Sequence, residues 1–209
     1  MKKHGNARRI AAVMILPVTF YGDPVLRAKG EPVTAFDAEL EKLAADMIET
    51  MHDENGIGLA APQVGLSKQF FVVDLRAPKG EPQDFDLILD GKNVPADLVM
   101  PMAFANAKIE ILDGEDFLCR EGCLSFPGIR GEVLRREHVR VKFQDIHGNA
   151  HELECSGLLA RCVQHENDHC QGVVFVDRMT LRDRLRNTAK LKSLKRDTLA
   201  ELKAAKRKN

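Results

Sequence analysis

Two histidines four residues apart, His165 and His169, enclose Glu166 in the run His165-Glu166-Asn167-Asp168-His169. On a helix, positions i and i+4 share one face, so both imidazoles can reach a single ion while the carboxylate stands beside it. The upstream residues Leu158, Leu159, Cys162 and Val163 are apolar, which predicts that much of this helix is buried. Two surface histidines on an ordinary helix are the plain alternative. Buried imidazoles flanking a carboxylate instead require a ligand or strong partners. A cysteine could supply the third ligand. Cys162 lies one helical turn before His165, and Cys123 lies upstream in Glu121-Gly122-Cys123-Leu124-Ser125. Spacing alone leaves both open. Three protein ligands with an open fourth position describe a hydrolytic centre, not a structural one.

These groups need elements to hold them. The H-E-x-x-H helix is predicted from about Gly157 to His169, with Gly172 beyond its end. Cys170 follows His169, points away from the ligand face and fills an apolar niche. Leu40, Leu43, Ala44, Met47, Ile48 and Met51 recur at three- and four-residue intervals and predict another helix over 37–53. Thr34 with Asp37 is its expected capping box. A Gly-rich stretch, Gly56-Ile57-Gly58-Leu59-Ala60-Ala61-Pro62-Gln63, leads to a buried strand at Phe70-Phe71-Val72-Val73-Asp74. Residues 77–97, rich in Pro, Gly, Asp and Lys, read as a surface excursion that could form a hairpin. Further strands are expected at 107–112, 139–145 and 150–155, the last two joined through Asp145-Ile146-His147-Gly148-Asn149. Asp168 is expected to pair with Arg135 or Arg136.

Composition fits one soluble catalytic domain. Apolar residues make up 44% of the 209 and charged residues 30%, with 31 basic and 31 acidic side chains. The zero balance hides an asymmetry: residues 178–209 hold 12 Lys/Arg against 3 Asp/Glu, while residues 1–177 hold 19 against 28. Five cysteines, an odd number, argue against a disulfide framework and for a reducing compartment. No apolar run approaches the roughly 18–20 residues that span a membrane. Lys2, Lys3, Arg8 and Arg9 precede the apolar 10–20, but Pro17 interrupts that run and no cleavage site follows. Met14 is an alternative start.

Taken together, three segments resemble the motifs of the peptide deformylases in order and spacing: Gly56 to Gln63, Glu121 to Ser125, and Gln164 to His169. The resemblance spans about 15–180 and includes Tyr21-Gly22-Asp23-Pro24-Val25-Leu26-Arg27. It implies removal of the formyl group from the N-terminal formylmethionine of new polypeptides. It further implies that Cys123, His165 and His169 hold the metal, that Glu166 is the acid/base, and that Gln63 and the Leu124 N–H stabilise the oxyanion. Ile57 and Gly58 would meet the substrate, the latter through its backbone, with Arg130 near the rim. Leu158 and Cys162 would line the methionine pocket, which makes Cys162 wall and not ligand. The implied ion is Fe²⁺, with Ni²⁺ and Co²⁺ as functional substitutes, although a Cys/His₂ set also suits Zn²⁺.

The implied fold is α+β, with small, largely antiparallel sheets around a central helix carrying H-E-x-x-H, and a C-terminal helix. The chain divides into a basic extension (1–14), a catalytic domain (15–180) and a basic helical tail (181–209). Departures from the family pattern are Asn106-Ala107 where Asn-Pro is usual, Cys170 in place of leucine, and a longer 77–100 insertion. None removes a catalytic group. The tail carries an apolar stripe of Leu191, Leu194, Leu202 and Ala205. It either packs on the domain or touches ribosomal RNA near emerging formylmethionyl chains. A monomer in the cytoplasm, without membrane contact, is expected. Two rivals are a zinc endopeptidase, which should lack the Gln63 and Cys123 motifs, and a ribosome-binding module with a decayed site, which should have lost a ligand or Glu166.

Overall fold

Phe70-Phe71-Val72-Val73 offers no polar side chain to solvent, so a strand made of it needs cover on both faces. That requirement organises the molecule. The computed structural model describes residues 12–76 and 83–207; the 1–11 part of the basic extension and the 77–82 part of the surface excursion lie outside the described residues. The strands are β1 (Gly58–Ala60), β2 (Phe70–Val73), β3 (Leu87–Leu89), β4 (Lys92–Asn93), β5 (Met102–Ile111), β6 (Asp116–Gly122), β7 (Arg130–Arg136), β8 (Val139–Gln144) and β9 (Ala150–Cys155). The helices are α1 (Ala38–Asp53), α2 (Ala96–Val99), α3 (Gly157–Cys170), α4 (Phe175–Arg178), α5 (Leu181–Arg186) and α6 (Thr188–Lys206).

Seven strands form one antiparallel sheet in the order β1-β2-β5-β8-β9-β3-β4, and β6-β7 is a separate hairpin. The α+β expectation holds, with one sheet larger than the small sheets expected. Alternation along β2 divides the core. Phe71 and Val73 join Ala60, Phe104, Leu159 and Val163 beneath α3, whereas Phe70 and Val72 join Leu59, Leu40, Met47 and Met51 beneath α1. Each fully buried apolar side chain contributes about 1.5–3 kcal/mol, so β2 is a principal anchor of both helices. A third cluster, including Leu26, Phe126, Ile129, Val133 and Phe175, lies under the β6-β7 hairpin.

Local chemistry moves several boundaries. Asp37, not Thr34, caps α1: its carboxylate accepts from the Glu39 and Leu40 N–H groups at 3.0 and 3.2 Å. The excursion contains the β3-β4 hairpin, turned by Asp90 and Gly91, both at positive φ (51° and 76°). β5 begins at Met102, ahead of the expected 107, and its register shifts between Ala105 and Lys108. At this bulge Asn106 bonds Val33 twice and Gln144 once, each at 2.8 Å. The departure from Asn-Pro therefore sits at an anchored bulge.

The basic tail is helical, interrupted at Asn187 between α5 and α6. Leu191 and Leu194 pack against the third core cluster, Thr198 is buried and Leu202 half-buried, while Ala205 is exposed. The expected stripe thus packs, except at its last member.

Candidate metal centre and catalytic site

Helix α3 is held at its start by backbone that only glycine fits. Gly157 has φ +56°, and a Cβ there would meet the Asp84 carbonyl oxygen at 2.6 Å. The preceding Ser156 exchanges hydrogen bonds with Asp86, accepting from its N–H at 3.0 Å and donating to its carboxylate at 2.8 Å. One face of α3 enters the core through Leu159 and Val163; the adjoining face carries His165, Glu166 and His169, all buried. Cys123 follows directly on β6, which brings it across to that face.

The ligand atoms of Cys123, His165 and His169 lie within 4.8 Å of one another. Cys123 Sγ is 3.2 Å from His169 Nε2, and the Gln63 amide donates to the same sulfur at 3.4 Å. A thiolate and two imidazoles at this separation fit a divalent transition metal. The His165 Nδ1 edge faces Glu121 at 2.8 Å, which frees Nε2 as a lone-pair donor. Spacing leaves Cys123 and Cys162 open; only Cys123 belongs to this cluster, and Cys162 Sγ points at the Ile57 carbonyl at 3.5 Å. Cys170 turns to the Phe70 carbonyl on the sheet side, as expected.

Behind the ligands runs a buried ionic chain. Arg135, only 4% exposed, donates to Glu121 at 2.8 and 3.0 Å and to Asp168 at 2.5 Å. Arg178, itself half exposed, closes on Asp168 from the solvent side at 2.5 and 2.6 Å. Of the two partners considered for Asp168, Arg135 is the one in place; Arg136 pairs with Asp116 at 3.1 Å. Burial opposes ionisation of Glu121, yet hydrogen bonds from His165 and Arg135 hold its carboxyl down at about 2. At Glu166 burial prevails and pushes the carboxyl up to about 7. Its Oε2 is buried without a hydrogen-bond partner, so this oxygen has no fixed engagement. Burial also lowers His169 well below the usual histidine range, which keeps its ring neutral.

A cavity of about 580 Å³ opens beside this group. Its wall includes every substrate residue implied by the resemblance: Ile57, Gly58, Arg130, Leu158 and Cys162, together with Gln63, Cys123, Leu124, His165 and Glu166. His169 sits behind the wall. Gln63 is oriented by the Ala60 N–H, which donates to Oε1 at 2.8 Å and leaves Nε2 facing Cys123. Gly58 is a close-approach glycine, since a Cβ there would lie 2.5 Å from Glu166 Oε1 and 2.8 Å from Cys162 Sγ. Sequence reasoning assigns no role to Glu121, Arg161 or Arg178. Glu121 carries a signal, a carboxylate two residues before a candidate ligand; the other two depend on how α3 and α4 pack.

Comparison with known proteins adds an independent finding. Residues 15–185 match the model of the polypeptide deformylases. A peptide deformylase of Opitutus terrae is 49% identical over 191 residues, covering 91% of this chain and 98% of the relative. The solved peptide deformylase of Thermus thermophilus is 36% identical with a TM-score of 0.73, covering 88% of this chain and 99% of its own. Arabidopsis thaliana peptide deformylase 1B, solved with an inhibitor, gives 34% identity and a TM-score of 0.75 over 89% and 93% of the two chains.

Proposed function

Since the chain belongs to the polypeptide deformylase family, hydrolases that remove the formyl group from the N-terminal formylmethionine of polypeptides, we propose that Cys123, His165 and His169 hold its metal and that Glu166 moves the proton. The observation that carries this assignment is the gathering of three ligand atoms within 4.8 Å of one another, directly behind the cavity wall that Glu166 and Gln63 help to form. We assign Fe²⁺, as the resemblance implies, with Zn²⁺, Ni²⁺ or Co²⁺ able to take its place. Bound there, a divalent ion supplies positive charge that polarises the formyl oxygen and acidifies water.

The remaining chemistry belongs to the chain. Glu166, with a pKa near neutrality and a free oxygen, takes a proton from water and returns it to the departing amine. The Gln63 amide is fixed by Ala60 and donates to the negative charge that grows on the formyl oxygen. The Leu124 N–H, which makes no hydrogen bond among the described residues, is the second donor. Among the described residues strand β1 pairs only with β2, so its outer edge, beginning at Gly58 next to Ile57, is open for an extended peptide to add. Leu158 and Cys162 form the wall for the methionine side chain, and Arg130 stands at the rim.

Formate release from formyl-Met-Ala-Ser by protein loaded anaerobically with Fe²⁺ tests the assignment, beside Glu166→Ala and an internal-peptide control. Release by the parent alone, with the control uncut, is expected; release by a metal-replete Glu166→Ala protein would overturn the role of Glu166.

One chain supplies all three ligands and the acid/base, which supports action as a monomer. Five free cysteines and a thiolate ligand support the cytoplasm, and no helix among the described residues is long and apolar enough to cross a membrane. We also propose that the tail meets ribosomal RNA, because α6 packs through Leu191 and Leu194 and leaves Lys192, Lys195 and Lys203 exposed. Replacing these three lysines with glutamine should reduce ribosome co-sedimentation and its salt dependence, with hydrolysis of the short peptide retained. Unchanged co-sedimentation would remove the tail from this role.

A further inference from the structure

Three arginines on the cavity wall make no ion pair among the described residues. Elsewhere in the molecule several arginines sit against a carboxylate, as Arg27 does on Asp177, Arg136 on Asp116 and Arg140 on Glu154. Arg120, Arg130 and Arg161 have no such ion pair among the described residues, and all three line the cavity. They belong to the acidic body of the chain, where residues 1–177 hold 19 basic and 28 acidic side chains, so a generally basic surface does not account for them.

Arg161 is the most constrained of the three. It lies on α3 one turn after Leu158 and beside Cys162, on the edge of the face given above to the methionine side chain. Its guanidinium stands 5.5 Å from the centre of the Phe117 ring, and its buried Nε has no hydrogen-bond partner. Arg120 sits on β6 opposite Glu132, diagonal to Arg130 on the same face of the hairpin. None of the acidic groups nearby forms an ion pair with these arginines. Glu54 and Glu166 line the cavity without an ion pair among the described residues, the latter at its inner end beside the ligand group, and Glu121 is taken by His165 and Arg135. On the far side of Arg161, Asp86 is held by Ser156 and Glu137 by the Gly157 N–H, with Asp84 beside them.

We propose that Arg161, assisted by Arg120, is a specificity-determining residue that favours formylmethionyl peptides with a carboxylate side chain at the second or third position. The proposal rests on the assignment of this cavity to the peptide. Unpaired guanidinium groups gathered on a concave wall attract the opposite charge, and each offers a carboxylate two parallel N–H donors.

The experiment compares kcat/KM of the Fe²⁺-loaded enzyme on C-terminally amidated formyl-Met-Asp-Ser and formyl-Met-Ala-Asp with their lysine counterparts and with formyl-Met-Ala-Ser. At low salt the acidic peptides should exceed the lysine peptides by about threefold or more at one of the two positions, and the ratio should shrink in about 0.5 M salt. Arg161→Glu should invert the ranking. Each ratio is internal to one preparation, so it does not depend on the fraction folded. Equal rates for acidic and lysine peptides in the parent, or a ranking unmoved by Arg161→Glu, would overturn the proposal. No formate from any peptide would instead overturn the cavity assignment beneath it.

Discussion

Two of the clusters that pair histidine with carboxylates, those around His165 and His151, differ in nearly everything else. Around His165 stand Glu121, Arg135 and Asp168, packed behind the ligand face of α3, with the half-exposed Arg178 at the outer end. Around His151 stand Asp90 at 2.7 Å and Asp145 at 3.4 Å, at the β8-β9 end where water has access. Burial is what separates the two. In the first cluster a lost partner leaves a charge stranded without water, so the chain of ions holds one imidazole orientation; in the second, water replaces any partner that leaves. Among the described residues only the first cluster adjoins a group of side chains able to hold a metal.

The contrast gives an ordered series of tests. Glu166→Ala should keep its metal and lower kcat by about 10²–10⁴, read from formate release beside metal content. Arg135→Leu should cost about 3–5 kcal/mol, because Glu121 and Asp168 would remain buried without their shared partner. In a chain of this size that is a fall in melting temperature on the order of 10 °C. A change below about 2 °C would place the two clusters in one class.

Gly58→Ala probes the wall instead of the ionic chain. The added methyl must displace Glu166 or Cys162, so kcat should fall by roughly tenfold or more, in line with the cost of small misplacements at reacting groups. Unaltered kcat would mean that the Glu166 side chain has room to move. The smallest effect belongs to His151→Ala, expected to shift the melting temperature by about 2 °C or less. Its sign follows from Asp90, which raises the histidine above its ordinary 6.5 against the opposing effect of burial. The stabilisation is therefore complete below the ordinary value and disappears as pH rises through the elevated one. Melting curves of parent and variant should converge above that range; a difference that persists at alkaline pH would assign His151 a packing role against Phe143.

Much of the site is legible in the residues themselves. The i, i+4 spacing places His165 and His169 on one face, and the apolar residues before them announce burial. The periodicity of Leu40 to Met51 locates α1, and the four apolar residues at 70–73 identify a strand covered on both sides. Alternation finds β8 and β9 because one face of each is core. It does not find β6 and β7, since Phe117, Leu118 and Leu134 are about half exposed and blur the pattern. The cap of α1 falls at Asp37 and not at Thr34 because both residue types can cap, and only backbone geometry separates them.

What the sequence determined by itself was local: which residues could bind a metal, which spacing put them on one helical face, and which motifs mark the family. Choosing Cys123 over Cys162 by geometry required the approach of β6 to α3, a contact between segments far apart in the chain. The pairing of Arg135 with both Glu121 and Asp168, the unpaired state of Arg161, and the near-neutral pKa of Glu166 were likewise decided by tertiary structure. The physical reason is the same in each case. Periodicity and spacing act over a few residues, whereas desolvation and charge pairing depend on what the whole fold brings near and on how much water it excludes.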